Sequence, residues 1–193
     1  MEIIKLNNFV CDEEKMDKIT SFFSQGKIVV YPTDTVYGLG CRADDNQAVE
    51  VLYKIKKRTK NKPFLVLVSD LAMTKKYFKI DSRQLDYLKN NWPGPISFLL
   101  DSQGRLAQGG EVGLAVRLPK NNFLTKMIRR IGVPIISTSL NLSGGQTITD
   151  IKEISSYLDV SEIDLVIDVG PIQAKASSII DLRDMDNIKT IRK

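Results

Sequence analysis

Short apolar runs alternate with amphipathic helical patterns along the whole chain, and this alternation constrains the fold more than any other feature of the sequence. The clearest apolar run, FLVLVS at residues 64–69, is typical of a strand buried on both faces. Other strand patterns lie at residues 2–6, 27–31, 96–101, 113–119, 133–139, 164–170, 177–182 and 188–193. The alternation predicts an α/β fold in which helices flank a mixed sheet.

Caps and apolar spacing predict the helices. Asp12 is a suitable N-cap for a helix that stops at Gly26, and Asp150 with Glu153 resembles the capping box of a helix that ends at about residue 158. Further helices are expected at residues 45–57, 70–78, 82–91 and 121–131. The 193 residues suffice for one well-buried domain and show neither a linker nor an internal repeat, so a single domain over residues 1–193 is expected.

The chain contains no histidine, which narrows the chemistry that it can perform. Ser-His-Asp and Cys-His catalysis are excluded, together with histidine general bases and metal ligands. The two cysteines, Cys11 and Cys41, form no metal-ligand pattern and are expected to be reduced thiols that pack like small hydrophobic groups. Any reaction must therefore use lysine, arginine, carboxylates, hydroxyls, backbone amides or a bound metal.

Hydropathy and charge suggest where the protein works and what it binds. No apolar run approaches the roughly 20 residues that span a bilayer, and the N-terminus lacks the layout of a signal peptide. A cytoplasmic protein without a membrane partner is therefore expected. The net charge of +5 favours anionic ligands, either nucleotides or nucleic acid.

A basic cluster stands at the end of one predicted helix and before the apolar run at 64–69. It consists of Lys54, Lys56, Lys57, Arg58, Lys60 and Lys62. A basic run is more often a solvated helix face than a site. Here, however, the Lys-x-Arg pair is held close to a buried strand, from where it could grip phosphate.

Two polar segments follow predicted strands and are candidates for ligand contacts. YPTDTVYGLGC, at residues 31–41, has the proline and glycines of a loop but carries more hydroxyl, carboxylate and tyrosine side chains than a turn needs. STSLNLSGG, at residues 137–145, is either a Ser/Thr/Asn-rich turn or a loop whose glycines let backbone amides approach phosphate. It is not a P-loop, because no Gly-Lys-Ser/Thr follows.

Three further features are ambiguous by themselves. WPGP at residues 92–95 predicts a rigid turn whose tryptophan belongs to the core, and the paired hydroxyls of KASSII at 175–180 are uninformative alone. Arg117 interrupts an otherwise apolar strand and needs an anionic partner there, either a carboxylate of the protein or a ligand.

Taken in order, these motifs resemble those of the YrdC family, the threonylcarbamoyl-AMP synthases. The matching segments are PTDTVYGLG, the Lys-x-Arg pair before Pro63 and an apolar strand, WPGP, AVRLP, S-x-NLSG and the late strand SSIID. The resemblance runs from about residue 5 to the C-terminus and fits the single-domain form of the family. It implies a twisted open sheet around a large basic cavity.

The resemblance also implies a reaction and its partners. A nucleotidyltransferase of this family makes threonylcarbamoyl-AMP and pyrophosphate from L-threonine, bicarbonate or CO2, and ATP, with Mg²⁺ bound through the ATP rather than by the protein. The product serves N6-threonylcarbamoylation of adenosine 37 in tRNA (t6A). The implied partners are therefore a downstream tRNA threonylcarbamoyl-transferase complex and, weakly, tRNA itself.

Roles for individual residues follow from the same resemblance. The implied catalytic tetrad is Lys56, Arg58, Ser139 and Asn141. The implied L-threonine-binding residues are Thr35, Arg117 and Ser177. The implied ATP-binding residues are Arg58, Lys62, Asn141, Thr149 and Arg192. The residues expected on the pocket wall are Tyr31, Thr33, Asp34, Tyr37 and Ser97, with Asp34 as an orienting or metal-side carboxylate.

Some positions depart from the family pattern. Lys57 and Thr59 replace the glycine and proline of the common Lys-Gly-Arg-Pro, which predicts a less rigid loop after Arg58. Leu140 replaces an alanine and must point away from a ligand. Leu67 occupies the place where longer relatives carry a threonine-contacting histidine.

Two other functions stay open. A non-catalytic RNA-binding module of the same fold would also use the +5 charge and the basic cluster, although no RNA-binding signature appears. A carbamoyl-adenylate-forming domain, as in hydrogenase-maturation proteins, would belong to a much longer chain with zinc-binding cysteines.

Overall fold

Strands and helices alternate along the part of the chain that the computed structural model describes, which is residues 1–108, 113–141, 145, 148–172 and 177–192. The strands are β1 (Glu2–Lys5), β2 (Val29–Tyr31), β3 (Gly38–Gly40), β4 (Leu65–Leu67), β5 (Ile96–Asp101), β6 (Gly113–Arg117), β7 (Ile135–Ser139), β8 (Leu165–Asp168), β9 (Ser178–Asp181) and β10 (Lys189–Arg192). The helices are α1 (Glu13–Ser24), α2 (Asn46–Lys56), α3 (Leu71–Tyr77), α4 (Ser82–Asn91), α5 (Asn122–Ile131) and α6 (Ile154–Tyr157).

All of these strands belong to one open sheet, in the order β1-β8-β2-β3-β7-β4-β6-β5-β9-β10. β8 is parallel to β1 and β2, β4 is parallel to β6, and β5 is parallel to β9. The remaining neighbours are antiparallel. The predicted α/β fold with a mixed sheet and flanking helices is therefore confirmed.

Side-chain caps set the helix boundaries close to the predicted ones. The Asp12 carboxylate accepts a hydrogen bond from the Lys15 amide at 2.8 Å and starts α1, and Asp45 caps α2 in the same way. The segment predicted as one helix from Asp150 to about residue 158 instead begins with a 3-10 turn at Ile151–Glu153, and only the four residues of α6 that follow are α-helical. Asp150 caps that turn through the Lys152 amide.

Residues 38–40, predicted as part of a loop, form strand β3 between β2 and β7. The prediction of a loop through residue 41 was wrong here because glycine has a low strand propensity. The reason for the glycine is steric: a Cβ on Gly40 would lie 1.9 Å from the Ile136 carbonyl oxygen. Close backbone approach, which the sequence pattern does not reveal, therefore selects glycine inside this strand.

The two faces of the sheet are covered to different extents. On one face, the larger hydrophobic core joins strand residues such as Val66 and Val116 to α2 and α4. On the other face, α1 and α5 pack over Tyr31, Leu67 and Ile135. The second pair of helices covers only part of its face.

The strand register shows what the uncovered part contains. Leu65 pairs with Ser137, and Leu67 pairs with both Ile135 and Arg117. Because paired residues share a face and alternate residues of a strand return to it, Leu65, Ser137, Ala115 and Arg117 lie on the face of α1 and α5. These four residues line a cavity, and Leu65 also packs against the edge of the core.

Among the helices of the described residues, none combines the length and the apolar character that crossing a membrane would require.

Candidate active site

A cavity of about 370 Å³ lies over the uncovered part of the sheet. Among the described residues, its cations are Arg58, Arg117 and Arg192. Its hydroxyls include Thr33 and Thr35 from the loop after β2, Ser139 at the end of β7, and Ser177 before β9. These side chains come from six separate segments of the chain, which the fold brings together near the ends of the strands.

The loop after β2 is organised around the Thr33 hydroxyl. Its oxygen accepts hydrogen bonds from the amides of Thr35 (3.0 Å) and Val36 (3.1 Å), and the hydroxyl donates to the Val36 carbonyl at 2.6 Å. The Thr35 hydroxyl lies 2.9 Å from the Thr33 hydroxyl. This local turn fixes the Thr35 side chain on the cavity wall.

Arg117 finds the anionic partner that the sequence requires in Asp34. The Arg117 guanidinium, in a residue that is only 3% exposed, donates from Nη2 to Asp34 Oδ1 at 2.6 Å and from Nη1 to the Thr35 hydroxyl at 3.2 Å. Its Nε is buried and has no hydrogen-bond partner among the described residues. Burial lowers the pKa of Arg117 and the Asp34 carboxylate opposes that shift, so the guanidinium stays a cation, and three of its five N–H groups, including Nε–H, have no partner among the described residues.

A second polar group lies on the β5–β9 side of the cavity. The hydroxyls of Ser97 and Ser177 are 2.9 Å apart, and Ser97 is fully buried beneath the wall. Arg192, on the edge strand β10, donates from Nη2 to the Ser177 carbonyl at 2.7 Å and from Nε at 3.1 Å. Arg192 thereby holds the backbone of Ser177 while its own side chain lines the cavity.

Lys56, Ser139 and Asn141 form one hydrogen-bonded group. The Lys56 ammonium donates to the Ser139 carbonyl at 2.7 Å, to the Asn141 carbonyl, and to Asn141 Oδ1 at 2.6 Å. Ser139 Oγ donates to the same Oδ1 at 2.8 Å, and Asn141 Nδ2 donates to the Gly145 carbonyl at 2.6 Å. Burial, and then repulsion from Arg58, lower the pKa of Lys56 to about 8.

Arg58 is held by the loop that follows it. Nε donates to the Lys62 carbonyl at 2.7 Å and Nη2 to the Pro63 carbonyl at 2.9 Å, while the guanidinium lies 5.0 Å from the centre of the Phe64 ring. Two of its five N–H groups are thus used, and the other three have no protein partner in the described segments. Burial lowers its pKa, but the group remains a cation at any physiological pH.

The structure separates the predicted site residues into two groups. Those that line the cavity are Thr33, Thr35, Tyr37, Arg58, Arg117, Ser139, Asn141, Ser177 and Arg192. Those that do not are Tyr31, Asp34, Lys56, Lys62, Ser97 and Thr149. Asp34, Lys56 and Ser97 lie behind the wall and contact residues that form it.

Tyr31 corrects one expectation. Its side chain is fully buried in the core beneath α1, where its ring lies edge-on to Phe23 and its hydroxyl donates to the Ile136 carbonyl at 3.0 Å. Tyr31 is therefore part of the core and does not line the cavity. Tyr37 does line the cavity, and its hydroxyl donates to the Gly170 carbonyl at 2.7 Å.

The sequence reasoning missed Gln108. Its buried side chain accepts from the Phe64 amide at 2.8 Å and donates to the Phe64 carbonyl at 2.7 Å, which fixes the ring beneath Arg58. No local motif surrounds Gln108, so only its contact with a distant strand could identify it. The expected approach of glycine amides to phosphate involves Gly144, which lies outside the described residues.

The cavity is suited to anions and poorly suited to a protein-held divalent cation. No carboxylate lines it in the described segments, and those segments contain no cluster of three or more potential metal ligands. Mg²⁺ prefers carboxylate and phosphate oxygens. The residues present therefore do not fit a Mg²⁺ site of the protein's own.

Comparison with known proteins gives a family match. The Sua5/YciO/YrdC family model, described as "Telomere recombination", matches residues 21–193. The curated protein YciO of Escherichia coli (strain K12), named only as an uncharacterized protein, is 33% identical over 165 residues, which cover 83% of this chain and 80% of YciO. The crystal structure of E. coli YciO superposes with a TM-score of 0.86 at 29% identity and covers 100% of this chain and 94% of that one.

Two further proteins are similar and carry more informative descriptions. The threonylcarbamoyl-AMP synthase of Vibrio vulnificus (strain YJ016) is 29% identical over 158 residues, which cover 79% of this chain and 84% of that protein. The crystal structure of P. abyssi Sua5 complexed with L-threonine has a TM-score of 0.85 at 28% identity. That match covers 94% of this chain but 54% of Sua5, so this chain spans about half the length of Sua5.

Proposed function

Because this chain belongs to the Sua5/YciO/YrdC family, we propose that it is an L-threonylcarbamoyladenylate synthase built as a single domain over residues 1–193. This nucleotidyltransferase would form threonylcarbamoyl-AMP and pyrophosphate from L-threonine, bicarbonate or CO2, and ATP. The proposal extends to this chain the activity for which the V. vulnificus relative is named and the amino acid bound by Sua5. The product would then feed t6A synthesis by a tRNA threonylcarbamoyl-transferase complex.

One observation carries the proposal: three arginines and no carboxylate face the cavity in the described segments. Each reactant of the proposed reaction is an anion or carries an anionic group, namely the threonine carboxylate, bicarbonate and the triphosphate of ATP. A cavity with only positive charges on its wall attracts all three and does not repel any of them.

Arg117 is the proposed anchor for the threonine carboxylate. Arg117 lines the cavity with N–H groups that no described residue accepts, and the Asp34 and Thr35 contacts hold its guanidinium in place. Thr35 and Ser177 supply hydroxyls to the same cavity. The carboxylate would thus be bound by a group that is ordered before the substrate arrives.

The nucleotide is proposed to bind near Arg58, Asn141 and Arg192, which line the cavity. The three free N–H groups of Arg58 suit the forked recognition of a phosphate. Lys62 and Thr149 are proposed ATP contacts on the strength of the family resemblance alone, since neither lines the cavity.

The proposed reaction needs no histidine. The threonine amine attacks the carbon of bicarbonate or CO2 and forms a carbamate, with water or a proton released. A carbamate oxygen then attacks the α-phosphorus of ATP, the new O–P bond forms, and the bond to pyrophosphate breaks. Such a transfer depends mainly on positioning and on neutralising phosphate charge, which arginines and hydroxyls can provide. Mg²⁺ would enter as part of the ATP substrate.

The test is pyrophosphate release by the purified full-length chain. We expect release only when L-threonine and bicarbonate are both present. Arg58→Ala should lower the rate on the order of 100-fold, the effect of removing one charge-stabilising donor, whereas Lys60→Ala, on an exposed side chain paired with Glu50, should stay within about twofold.

Two results would count against the proposal. Pyrophosphate release that ignores threonine would indicate a different nucleotide reaction. Salt-sensitive RNA binding without any adenylate product would favour the RNA-binding module of the same fold.

A further inference from the structure

Lys56 is a cation that does not face the cavity, although the resemblance assigns it to the catalytic tetrad. The residue is 1% exposed, and its side chain is absent from the lining described above. An ammonium carries three N–H donors. All three are used by oxygens of Ser139 and Asn141, so none is left for a phosphate.

The three acceptors belong to a single turn at the end of β7, and that turn does line the cavity. Asn141 Oδ1 lies between the Lys56 ammonium and Ser139 Oγ, while Nδ2 points to the Gly145 carbonyl. The ammonium therefore dictates which end of the Asn141 amide faces which neighbour. Without it, two backbone carbonyls and one amide oxygen would lose a buried donor.

The surroundings of Lys56 favour a role in which it holds the Ser139–Asn141 turn in place (a tie) over a role in which it binds phosphate directly (a clamp). All three of its acceptors are uncharged. Arg58 is the charged group that acts on it in the described part of the chain, and Arg58 repels it. A buried cation without a carboxylate persists only where hydrogen bonds compensate for lost hydration. Here that compensation comes entirely from the Ser139–Asn141 turn.

We propose that Lys56 is a positioning residue, whose ammonium holds Ser139 and Asn141 in the orientation that meets the reactants, while Arg58 is the member of the Lys-x-Arg pair that contacts phosphate. The sequence-based expectation that both side chains grip phosphate is revised accordingly. The inference deepens the proposed function and rests on it for the identity of the reactants.

Nucleotide affinities of Lys56 variants distinguish the positioning role (a tie) from direct phosphate binding (a clamp). Affinities for AMP and ATP are measured by calorimetry for the full chain, for Lys56→Met and Lys56→Arg, and for the exposed control Lys54→Met on the same helix. A tie predicts that both Lys56 variants lose AMP and ATP affinity by the same factor, within about threefold, and lose kcat on the order of 100-fold, as for a misplaced reactive group. The control should match the wild type.

Of the two Lys56 variants, Lys56→Arg discriminates better between the two roles. Arginine keeps the charge, but its planar fork cannot donate to three oxygens from one nitrogen, so it should not rescue activity. ATP affinity that falls more than tenfold while AMP affinity is unchanged, or wild-type kcat in Lys56→Arg, would overturn the inference.

A readout that needs neither turnover nor a variant follows the Asn141 side-chain amide by NMR in the wild type. Deprotonation removes one of the three donors of Lys56, so the Asn141 signals should shift as the pH rises through about 8. Asn141 signals that stay constant over the pH range in which the Lys56 ammonium is itself seen to titrate would overturn the tie. If the wild type forms no threonylcarbamoyl-AMP, the proposed function fails, but the Asn141 signals still decide the role of Lys56.

Discussion

At the scale of single residues, the ion pair of Asp34 and Arg117 contributes to the stability of the fold as well as to the candidate site. The carboxylate and the guanidinium are joined at 2.6 Å, with 18% and 3% of their side chains exposed. Removing one partner of such a pair leaves an uncompensated buried charge, which costs far more than losing an exposed ion pair.

We therefore expect Asp34→Ala to lower the free energy of unfolding by about 3 kcal/mol, measured by urea denaturation. Glu50→Ala, which breaks an exposed pair with Lys60, should cost at most about 0.5 kcal/mol. The double variant Asp34→Ala/Arg117→Met should be more stable than Asp34→Ala alone, because the stranded cation is gone. Equal losses for Asp34→Ala and Glu50→Ala would show that the pair is solvated.

Lys57 stands where the family usually has glycine, and its backbone explains the family preference. It ends α2 in the left-handed conformation, with φ of 47°. Residues with a Cβ adopt this conformation at a cost that glycine avoids. The expected loss of rigidity in the following loop stays a prediction, although two hydrogen bonds from Arg58 to the Lys62 and Pro63 carbonyls span that loop.

Lys57→Gly should accordingly raise the free energy of unfolding by about 0.5–1 kcal/mol, after allowance for the greater freedom of glycine in the unfolded chain. Lys54→Gly, three residues earlier in the same helix, should instead lower it by about 1 kcal/mol. Denaturant midpoints of the two variants test this contrast. A loss of stability at both positions would mean that the left-handed conformation carries no strain.

At the scale of elements, β3 shows where a sequence pattern stops being informative. The strand at residues 96–101 and the helix at 82–91 were predicted with correct boundaries, and the strands predicted at 64–69 and 113–119 exist but are shorter, at Leu65–Leu67 and Gly113–Arg117. The segment Gly38–Gly40 was read as a loop, because its role depends on the partner strand β7 that approaches it. Strand propensity is a property of a single residue type, whereas the close approach of two strands depends on both strands and is not visible in either sequence segment alone.

Gly40→Ala tests whether this close approach is required. Its Cβ would meet the Ile136 carbonyl oxygen at 1.9 Å, so β3 and β7 would have to separate, at a cost of about 3 kcal/mol. Gly132→Ala provides the comparison, because Gly132 has φ of 80° but no atom within 4 Å of its would-be Cβ, and only about 1 kcal/mol of backbone strain is expected. Thermal unfolding of both variants should preserve that order. Equal melting temperatures would contradict it.

At the scale of the whole molecule, the site exists because α1 and α5 cover only part of one sheet face. The sequence predicts the strands and helices, and the order of its motifs indicates which polar residues to examine. It does not predict the strand register that sets Leu65, Ser137, Ala115 and Arg117 side by side on the uncovered part. Nor does it distinguish Lys56, which lies behind the cavity wall, from Arg58, which lines the cavity, because a single residue separates them in sequence.

The cavity depends on single residues, on secondary-structure elements and on the whole fold. Single side chains, such as Thr33 and Asp34, hold cavity groups through hydrogen bonds. The ends of strands bring six separate segments to one place, and the uneven helix layer leaves room above them. The reaction proposed here would need no histidine, because arginines and hydroxyls on the cavity wall can position the reactants and neutralise phosphate charge.

The most direct test of the central claim is mass spectrometry of the product formed by the wild-type chain with ATP, L-threonine and ¹³C-labelled bicarbonate. The account predicts threonylcarbamoyl-AMP that carries the label, and no product when threonine or bicarbonate is omitted. Unlabelled threonyl-AMP, or AMP with no threonine-containing adenylate, would contradict the proposed function.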